Sequence, residues 1–405
     1  MISRRCLATA VVLLVVAAMA VPASATYRYV SPAGNDANSG SSPTNAWATI
    51  GRANAAALPG DVIFVANGTY AHFPSPAMSG TATQRIAFVG NLASPSSVVI
   101  TDSRTNFTKS HVTLKGFHLA NGFTLSGVRD SIAHCWVGGS KPQILGADDC
   151  VVTHCRVEAE RFWIQGVEAD TFPKAERDTI RLCTFNLRPT STGHTMRLNA
   201  VEDCVVDRCR FTIDIAPSAW GASPVKMFGV KRSRFMDSFW NATNRCGSCD
   251  EAGWFVLRDH TQSNAFVRDT ILLQGAAVQF FATCSGTYPG SVMNNNFESC
   301  VIKQSGASAY GAAVFYQDAA QWDTLRSCVI VGEQGGLAFN SRVHGPMLIE
   351  ANTVVAFQPP RGTLSVEPEA WTGVTTLRSN IFYSAESAPR VSGSAPLFST
   401  LSSIG

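Results

Sequence analysis

Three basic residues sit inside short apolar segments in the middle of the chain, and they are the first candidates for chemistry. Arg197 lies in Met-Arg-Leu, Lys226 in Val-Lys-Met and Arg258 in Leu-Arg-Asp. Side chains alternate between the two faces of a strand, so the apolar neighbours predict a buried face and the cations an outward face. Cations about 5 Å apart on neighbouring strands repel by about 3 kcal/mol at an effective dielectric constant of about 20.

Such a stack would suit an anionic ligand and would favour the neutral amine of Lys226, which could then act as a general base. The same face extends to further polar and aromatic candidates for ligand binding. These are Trp163 and Gln165 before the cations, and Gln279 and Asn340 after them. The alternative interpretation is three solvated charges on an exposed strand, with Lys226 out of line with the other two.

The elements that position these residues are indicated by a recurring six-residue phrase: apolar, two mostly polar, small or polar, any residue, apolar. The small residues of its copies are Cys135, Cys155, Cys183, Cys209, Ser233, Asp269, Cys300, Cys328, Asn352 and Asn380. Their mean spacing is about 27 residues, which is typical of solenoids. The phrase suits two short strands that meet at a tight bend, and Val, Ile and Phe are frequent in it. It predicts an all-β, right-handed parallel β-helix of about ten or more rungs, in which the small residues stack as an inward ladder.

Composition restricts the possible partners. The chain has 32 basic and 29 acidic residues and a formal charge of +3. This balance gives no surplus of charge for binding nucleic acid or anionic membranes. Residues 1–25 combine Arg4-Arg5, an apolar run and Ala23-Ser24-Ala25, the pattern of a cleaved secretory leader. We therefore expect a secreted, monomeric protein without a membrane span, with a β-helix domain over 26–385 and a tail over 386–405.

The 12 cysteines of an exported chain suggest disulfides. Six of them fall in the predicted ladder, where neighbouring side chains run parallel, which is a poor geometry for a disulfide. We expect most of these thiols to be free and buried. Cys246 and Cys249 form a CxxC in a loop-like stretch, which we interpret as a local disulfide for which Cys284 could compete.

The segments before the repeats carry a family resemblance. Tyr29–Gly40, Trp47–Leu58 and Pro59–Tyr70 together resemble the opening of the pectate-lyase-like β-helix superfamily. The resemblance implies a short N-terminal capping helix, in which Trp47, Ile50, Ala53 and Leu58 would cover one end of the solenoid. Ser79-Gly-Thr with Ile86-Ala-Phe-Val, and His111–Phe117, are more similar to the chondroitinase B and alginate lyase family.

That resemblance implies a polysaccharide lyase acting on an anionic, uronate-containing polysaccharide such as alginate, pectate or a glycosaminoglycan. Lys226 would remove the proton α to the carboxylate, Arg258 would act as the acid, and Arg197 would pair with a carboxylate. The family places acidic calcium ligands shortly before the lysine, but 218–225 contains no acid. Calcium is therefore implied only by the resemblance, and no cofactor is assigned.

Two other functions are weighed against the lyase. A pectin hydrolase would need an acidic cluster, and Ala147-Asp148-Asp149-Cys150 superficially offers one. It aligns with Val201-Glu202-Asp203-Cys204, which indicates a repeated turn. A non-catalytic exported β-helix that binds glycans or has a cell-surface structural role is the second hypothesis, and the missing acids before Lys226 favour it.

Overall fold

The computed structural model describes residues 25–102, 106–166, 174–219, 222–246, 254–275, 279–282, 292–307, 312–317, 321–339, 347–357, 363–366, 376–384 and 391–392. Asn340, Cys249, Cys284 and almost all of the predicted leader and tail lie outside these residues.

The described chain forms three long sheets, and every strand pairing in them is parallel. Sheet A contains Tyr27–Val30, Val62–Val65, Ile86–Val89, Val112–Lys115, Ser131–Ala133, Val151–Thr153, Thr179–Arg181, Val205–Asp207, Arg234–Met236, Ala265–Val267, Asn296–Glu298, Thr324–Arg326, Leu348–Glu350 and Thr376–Arg378. Sheet B contains Gly68–Tyr70, Val98–Ile100, His118–Leu119, Trp136–Val137, Arg156–Ala159, Thr184–Leu187, Arg210–Ile215, Phe239–Asn244, Thr270–Gly275, Val301–Ser305, Val329–Gly332, Thr353–Ala356 and Ile381–Ser384. Sheet C contains Asn106–Phe107, Thr124–Leu125, Gln143–Leu145, Phe162–Gln165, Ala175–Glu176, Met196–Glu202, Val225–Lys231, Trp254–Arg258, Gln279–Ala282, Val314–Tyr316, Leu337–Phe339, Leu364–Val366 and Val391–Ser392.

From Ile86 onward, each turn of the chain contributes strands to the three sheets in the order A, B, C. The strand Ser131–Ala133, for example, is followed by Trp136–Val137 and then by Gln143–Leu145. The chain then returns to sheet A, where Val151–Thr153 pairs in parallel with Ser131–Ala133. This confirms the predicted parallel β-helix, because a solenoid is the arrangement in which every strand pairs with its counterpart one turn away.

The N-terminal end is covered by the helix Ile50–Ala56, and the short 3-10 helices Pro43–Asn45 and Pro95–Ser97 lie in connecting segments. The side chain of Thr49 caps the helix by accepting the backbone N–H of Arg52 at 3.0 Å. Trp47, Ile50 and Ala53 are buried as predicted.

The prediction for Leu58 is wrong, because its side chain is 52% exposed and Ala57 is buried instead. Leu58 follows the last helical turn, so the helical spacing that predicted its burial no longer applies there.

The core is a continuous column of inward apolar side chains, and aromatic rings stack along part of it. Phe211 lies between Phe185 and Trp240, with ring centroids 4.5 Å and 3.8 Å away and nearly parallel planes. These rings occupy equivalent positions on three successive strands of sheet B. Stacking of equivalent residues therefore ties each turn to the next.

Two bends per turn carry the ladders of small residues, and the sequence predicted one of them. At both bends a residue with positive φ is followed by a buried small residue. The bend between sheets A and B holds the predicted ladder, with one correction: its fifth member is Ser238 and not Ser233. The second ladder lies between sheets C and A and contains Asp130, Cys150, Asp178, Cys204, Ser233, Asn264, Asn295 and Asp323.

The cysteines of both ladders are free and buried, as expected. Each Sγ donates to a backbone carbonyl; that of Cys155, for example, lies 3.3 Å from the carbonyl oxygen of Thr153. Burial raises the pKa of the Cys150 and Cys204 thiols well above the ordinary value. Cys246 is disulfide-bonded, and its partner is not among the described residues.

The acidic repeat Asp148-Asp149 is confirmed as a turn, and it forms part of an outward column of charge at the bend between sheets C and A. The column runs Arg129, Asp149, Arg177, Asp203, Arg232, and each of these residues has a positive φ. Asp149 binds Arg129 at 3.4 Å and Arg177 at 2.8 Å, and Asp203 binds Arg232 at 2.9 Å. The sign of the charge alternates from one turn to the next, so each residue has an oppositely charged neighbour.

Successive turns approach each other closely at Gly275, at the end of a strand of sheet B. Its φ is +103°, and a Cβ atom there would lie 2.0 Å from the carbonyl oxygen of Asn244. We expect Gly275→Ala to destabilise the protein by about 1–3 kcal/mol, because backbone strain and a backbone clash coincide. Urea unfolding would measure the loss. Gly60→Ala is the control: its φ is +91° but the nearest atom is 3.8 Å away, so an equal loss in both variants would contradict the clash.

Candidate functional site

The candidate site is the outward side of the first half of sheet C, which we call the C-face. Its side chains form two columns, defined by the strand register. The first column is Gln143, Trp163, Arg197 and Lys226. The second column lies two residues further along each strand and is Gln165, Asn199, Phe228 and Arg258.

Arg197 and Lys226 are direct neighbours in the first column, because their Cα atoms are register partners on adjacent strands. The corrected ladder explains this alignment: each lies twelve residues before its ladder residue, Cys209 or Ser238. The apolar residues around them, Met196, Leu198, Val225 and Met227, are buried as predicted. The two cations are therefore held on the outward face by the packing of their neighbours.

Arg258 lies on the next turn, as predicted, but it does not continue the same column. Lys226 pairs with Val256, and Arg258 pairs with Phe228. A step of one strand and two residues places the Cα atoms of Lys226 and Arg258 about 8 Å apart. The guanidinium of Arg258 also lies 3.5 Å from the buried carboxylate of Asp259. Arg258 is thus diagonal to Lys226 and has a carboxylate partner of its own.

Trp163 is held between cations. The Nζ of Lys141 lies 3.9 Å from the ring centroid, and the guanidinium carbon of Arg197 lies 5.2 Å from it. The indole N–H donates to the carbonyl oxygen of His194 at 2.9 Å. Cation–π contacts of this kind stabilise the position of the charged group, so Trp163 orients Arg197 and its ring is already engaged.

Arg197 is a partly buried positive charge, which favours the binding of an anion to the C-face. Burial lowers the pKa of the Arg197 guanidinium from its ordinary value. A guanidinium nevertheless stays charged in proteins. Its partial desolvation is a cost that a carboxylate ligand would offset by direct hydrogen bonding.

Of the remaining residues predicted from the sequence and described by the structure, only Gln165 lies in one of the two columns. Gln165 lies in the second column, beside Asn199. The backbone of Gln279 pairs with Trp254, two residues before the first column, so its register places it in neither column. Asn340 lies outside the described residues.

The first column of the C-face ends after Lys226. The next residue of the first column, Val256, is buried and packs with Ala312, Phe315 and Ala338 in a small apolar cluster on the outer side of sheet C. Strand alternation alone predicts that Val256 is an outward and solvated residue. Val256 is instead buried in a cluster with residues of later turns.

Two polar residues of the C-face were missed by the sequence reasoning. Gln143 and Asn199 are only 5% and 6% exposed, yet the side-chain amide oxygen of each has no hydrogen-bond partner. Gln143 is the register partner of Trp163, and Asn199 lies two residues after Arg197 in the same strand. The alternation that selected Arg197 also selects Asn199 two residues later, so the signal was present. Amide oxygens of this kind accept hydrogen bonds from hydroxyl groups.

The donor set of the C-face does not fit calcium. Calcium takes six to eight oxygen ligands, usually including carboxylates, and neither column contains a carboxylate. Asp259, next to the second column, is buried and engaged by Arg258. Within the described ranges, no group of three or more His, Cys, Asp or Glu side chains is arranged to hold a metal ion.

Two surface grooves formed by described residues lie elsewhere. One, of about 460 Å³, is lined by Gly139, Ser140, Glu158, Glu160, Asn186 and Arg188. The other, of about 410 Å³, includes His134, Trp136, His154 and Arg156. Neither contains a residue of the two columns. We keep the C-face as the candidate site because it brings together Arg197, Lys226 and the unpartnered amide oxygens of Gln143 and Asn199, whereas Arg156 in the second groove is bound by Glu158 at 2.5 Å.

The strand pairing by itself defines the chain as a parallel β-helix protein. No protein-family model and no curated protein matches its sequence. Among solved structures it is similar to the pectate lyase Pel9A, with 15% identity, a TM-score of 0.46, and coverage of 72% of this chain and 78% of that chain.

A second similar structure is a mannuronic acid specific polysaccharide family 6 lyase from human gut microbiota, at 12% identity and a TM-score of 0.44, with 82% and 80% coverage of this chain and that chain. A third is PfbA, a surface adhesin of Streptococcus pneumoniae, at 12% identity and a TM-score of 0.45, with 82% and 85% coverage. Similarity at this level does not identify the function, which has to be argued from the residues of the site. No helix among the described residues has the length and apolar character needed to cross a membrane.

Proposed function

We propose that this protein is a secreted polysaccharide lyase that cleaves a uronate-containing polysaccharide by β-elimination on the C-face. The observation that carries the proposal is the direct register pairing of Arg197 with Lys226 on the outward side of sheet C. A carboxylate-binding group beside a potential base is the arrangement that proton abstraction next to a carboxylate requires.

In the proposed mechanism Arg197 binds the uronate carboxylate and withdraws charge from it, which acidifies the C5 proton. The neutral amine of Lys226 takes that proton, and the C5–H electron pair forms the C4–C5 double bond as the C4–O bond breaks. The leaving oxygen takes up a proton from water, and Arg258 stabilises the negative charge that develops on it. The amide oxygens of Gln143 and Asn199 accept hydroxyl groups of the sugar. No step uses a metal ion, because the donor set does not fit calcium.

The test is ultraviolet absorbance of the new double bond during incubation with alginates, pectates and glycosaminoglycans. We expect absorbance to rise with at least one of these polymers and to rise equally after calcium is removed with a chelator, because Arg197 provides the carboxylate contact. A flat trace with every polymer, from protein whose circular dichroism shows an intact β-fold, would contradict the lyase.

The second candidate is a non-catalytic β-helix that binds anionic glycans. The engagement of Arg258 by Asp259 and its diagonal offset from Lys226 favour this function. Calorimetric titration with the same polymers separates the two proposals. Binding that disappears in Arg197→Ala, without any absorbance change in the wild type, would favour the binding protein.

A further inference from the structure

The two inward ladders follow one hydrogen-bonding rule. Along both ladders, side chains accept the backbone N–H of the residue at the equivalent position one turn before. Cysteine and asparagine also donate to a backbone carbonyl of that earlier turn, three residues before the equivalent position, whereas Ser233 and Ser238 donate to the carbonyls of Lys231 and Met236 in their own turn. Asn352 shows both bonds, accepting from the N–H of Cys328 at 2.8 Å and donating to the carbonyl of Leu325 at 2.9 Å.

Cysteine and asparagine both satisfy the donating half of this rule. Cys150 donates to the carbonyl of Gly127 at 3.4 Å, and Asn264 donates to that of Val230 at 2.9 Å. The donated bond is the second that such a carbonyl accepts, since the carbonyl of Val230, for example, also accepts the backbone N–H of Gln262 at 2.8 Å. The donating atom is thus part of what joins successive turns at the bends.

Four ladder positions hold aspartate, and all four satisfy only half of the rule. One carboxyl oxygen of each accepts a backbone N–H, at 2.7–2.9 Å, from Val112, Cys150, Ser238 and Asn295 respectively. The other oxygen is buried without a hydrogen-bond partner in Asp130, Asp178, Asp269 and Asp323. In the ladder asparagines the corresponding side-chain atom is the amide nitrogen, which donates to the carbonyl of the earlier turn.

The neighbourhood of Asp130 shows the two oxygens that would share the proton. A Cβ atom built on Gly127 would lie 2.0 Å from the unpartnered oxygen of Asp130 and 2.2 Å from the carbonyl oxygen of Lys109. Both oxygens therefore crowd one small volume. Lys109 lies three residues before Val112, which is the carbonyl position that the rule requires. An ionised carboxyl oxygen in this position is repelled by the carbonyl oxygen, whereas a protonated one can donate a hydrogen bond to it.

The charged groups around the aspartates do not offset their burial. Arg85 approaches Asp130, while Asp178 has both acids and a base nearby, Asp148, Asp149 and Arg177. Asp269 has Asp237 and Arg268 nearby with the Cys300 thiol, and Asp323 faces Asn295 and the Tyr316 hydroxyl. Burial is the largest influence on each: it raises the pKa of Asp130, Asp178 and Asp323 to about 7 and that of Asp269 to about 8.

We propose that Asp130, Asp178, Asp269 and Asp323 are neutral carboxylic acids in the folded protein and donate their protons to ladder carbonyls, so that the fold takes up protons as it forms. The folded protein then binds more protons than the unfolded chain at pH values between the two states' titrations. The contribution of these four aspartates to stability is fully present below about pH 4, where the unfolded aspartates are also protonated, and is lost as the pH rises through about 7–8. The β-helix is thereby suited to acidic surroundings.

The test compares thermal unfolding of the full chain with Asp323→Asn and Asp269→Asn from about pH 5 to about pH 9, the range that spans the raised titrations. Asparagine keeps the acceptor and supplies a permanent donor. We expect the wild-type melting temperature to fall across this range. Each variant should melt above the wild type at the alkaline end and show a shallower fall. The difference between the wild-type and variant slopes of melting temperature against pH separates the contribution of the aspartate from that of histidines such as His118.

Asp214→Asn is the matched control, because Asp214 is an outward carboxylate held by Arg245 at 2.7 Å, and it is not among the charges that act on the four ladder aspartates. This change should leave the slope unchanged. A wild-type melting temperature that is flat or rises with pH would overturn the proposal, as would Asn variants with the wild-type slope. If a variant does not fold, infrared spectra of the wild type at neutral pH decide instead: a carbonyl stretch of protonated carboxyl groups supports the proposal, and its absence overturns it.

Discussion

Lys226→Ala is expected to lower the rate of polysaccharide cleavage by about 10²- to 10⁴-fold, the usual contribution of a positioned general base. The loss should appear in kcat rather than KM, because Arg197 and the buried amides still bind the sugar. Initial rates of double-bond formation, measured over a range of polymer concentrations, separate the two parameters. Nothing else in the two columns of the C-face can take up a proton at neutral pH.

Lys226→Arg distinguishes a base from a positive charge. Arginine keeps the charge but does not deprotonate in proteins, so this variant should be as inactive as the alanine variant. Lys303→Ala is the control, since Lys303 is an exposed lysine on sheet B, and its rate should equal that of the wild type. An active arginine variant would show that Lys226 serves only to bind the polymer.

Phe211→Ala should destabilise the protein by about 3–5 kcal/mol, the usual loss for a buried phenylalanine. The ring is fully buried and stacks on both faces, against Phe185 and Trp240. Its removal leaves a cavity and breaks the contact between three successive turns. In a solenoid, stability depends on such contacts between neighbouring turns. The midpoint of urea unfolding should therefore move to markedly lower urea concentration.

The matched control is Phe239→Ala, because Phe239 lies next to Trp240 in the same strand but points outward, where Arg210 covers its ring at 4.5 Å. A shift in midpoint less than half that of Phe211→Ala is expected. Equal shifts would mean that the aromatic column inside the helix does not bear on stability more than the outer face does.

The fold could be predicted because one bend repeats with a strong local pattern. Apolar residues on either side of a small residue identify two strands and the inward position between them, and this holds for Cys135, Cys155 and most later copies. The error at Ser233 arose because the second bend has the same local pattern, a residue with positive φ followed by a small inward residue. A single window cannot distinguish two bends that obey the same stereochemistry.

The candidate site could be predicted only as far as alternation along a strand determines it. The outward placement of Arg197 and Lys226 follows from their buried neighbours. The offset of Arg258 depends on how many residues the chain uses between strands, which the pattern does not specify. The burial of Val256 depends on Ala312, Phe315 and Ala338 from later turns, and no local pattern reports such long-range packing.

The alternating charges of the outer bend bear on how a chain of this kind can grow by duplication. Asp149, Arg177 and Asp203 each have an opposite charge on the turn before and on the turn after, and Arg129 and Arg232 end the column. Copying or deleting one turn would bring two arginines or two aspartates together, at a cost of like-charge repulsion. Copying two turns at once would preserve every pair. A pair of turns is therefore the smallest segment whose duplication keeps the charges of this column paired.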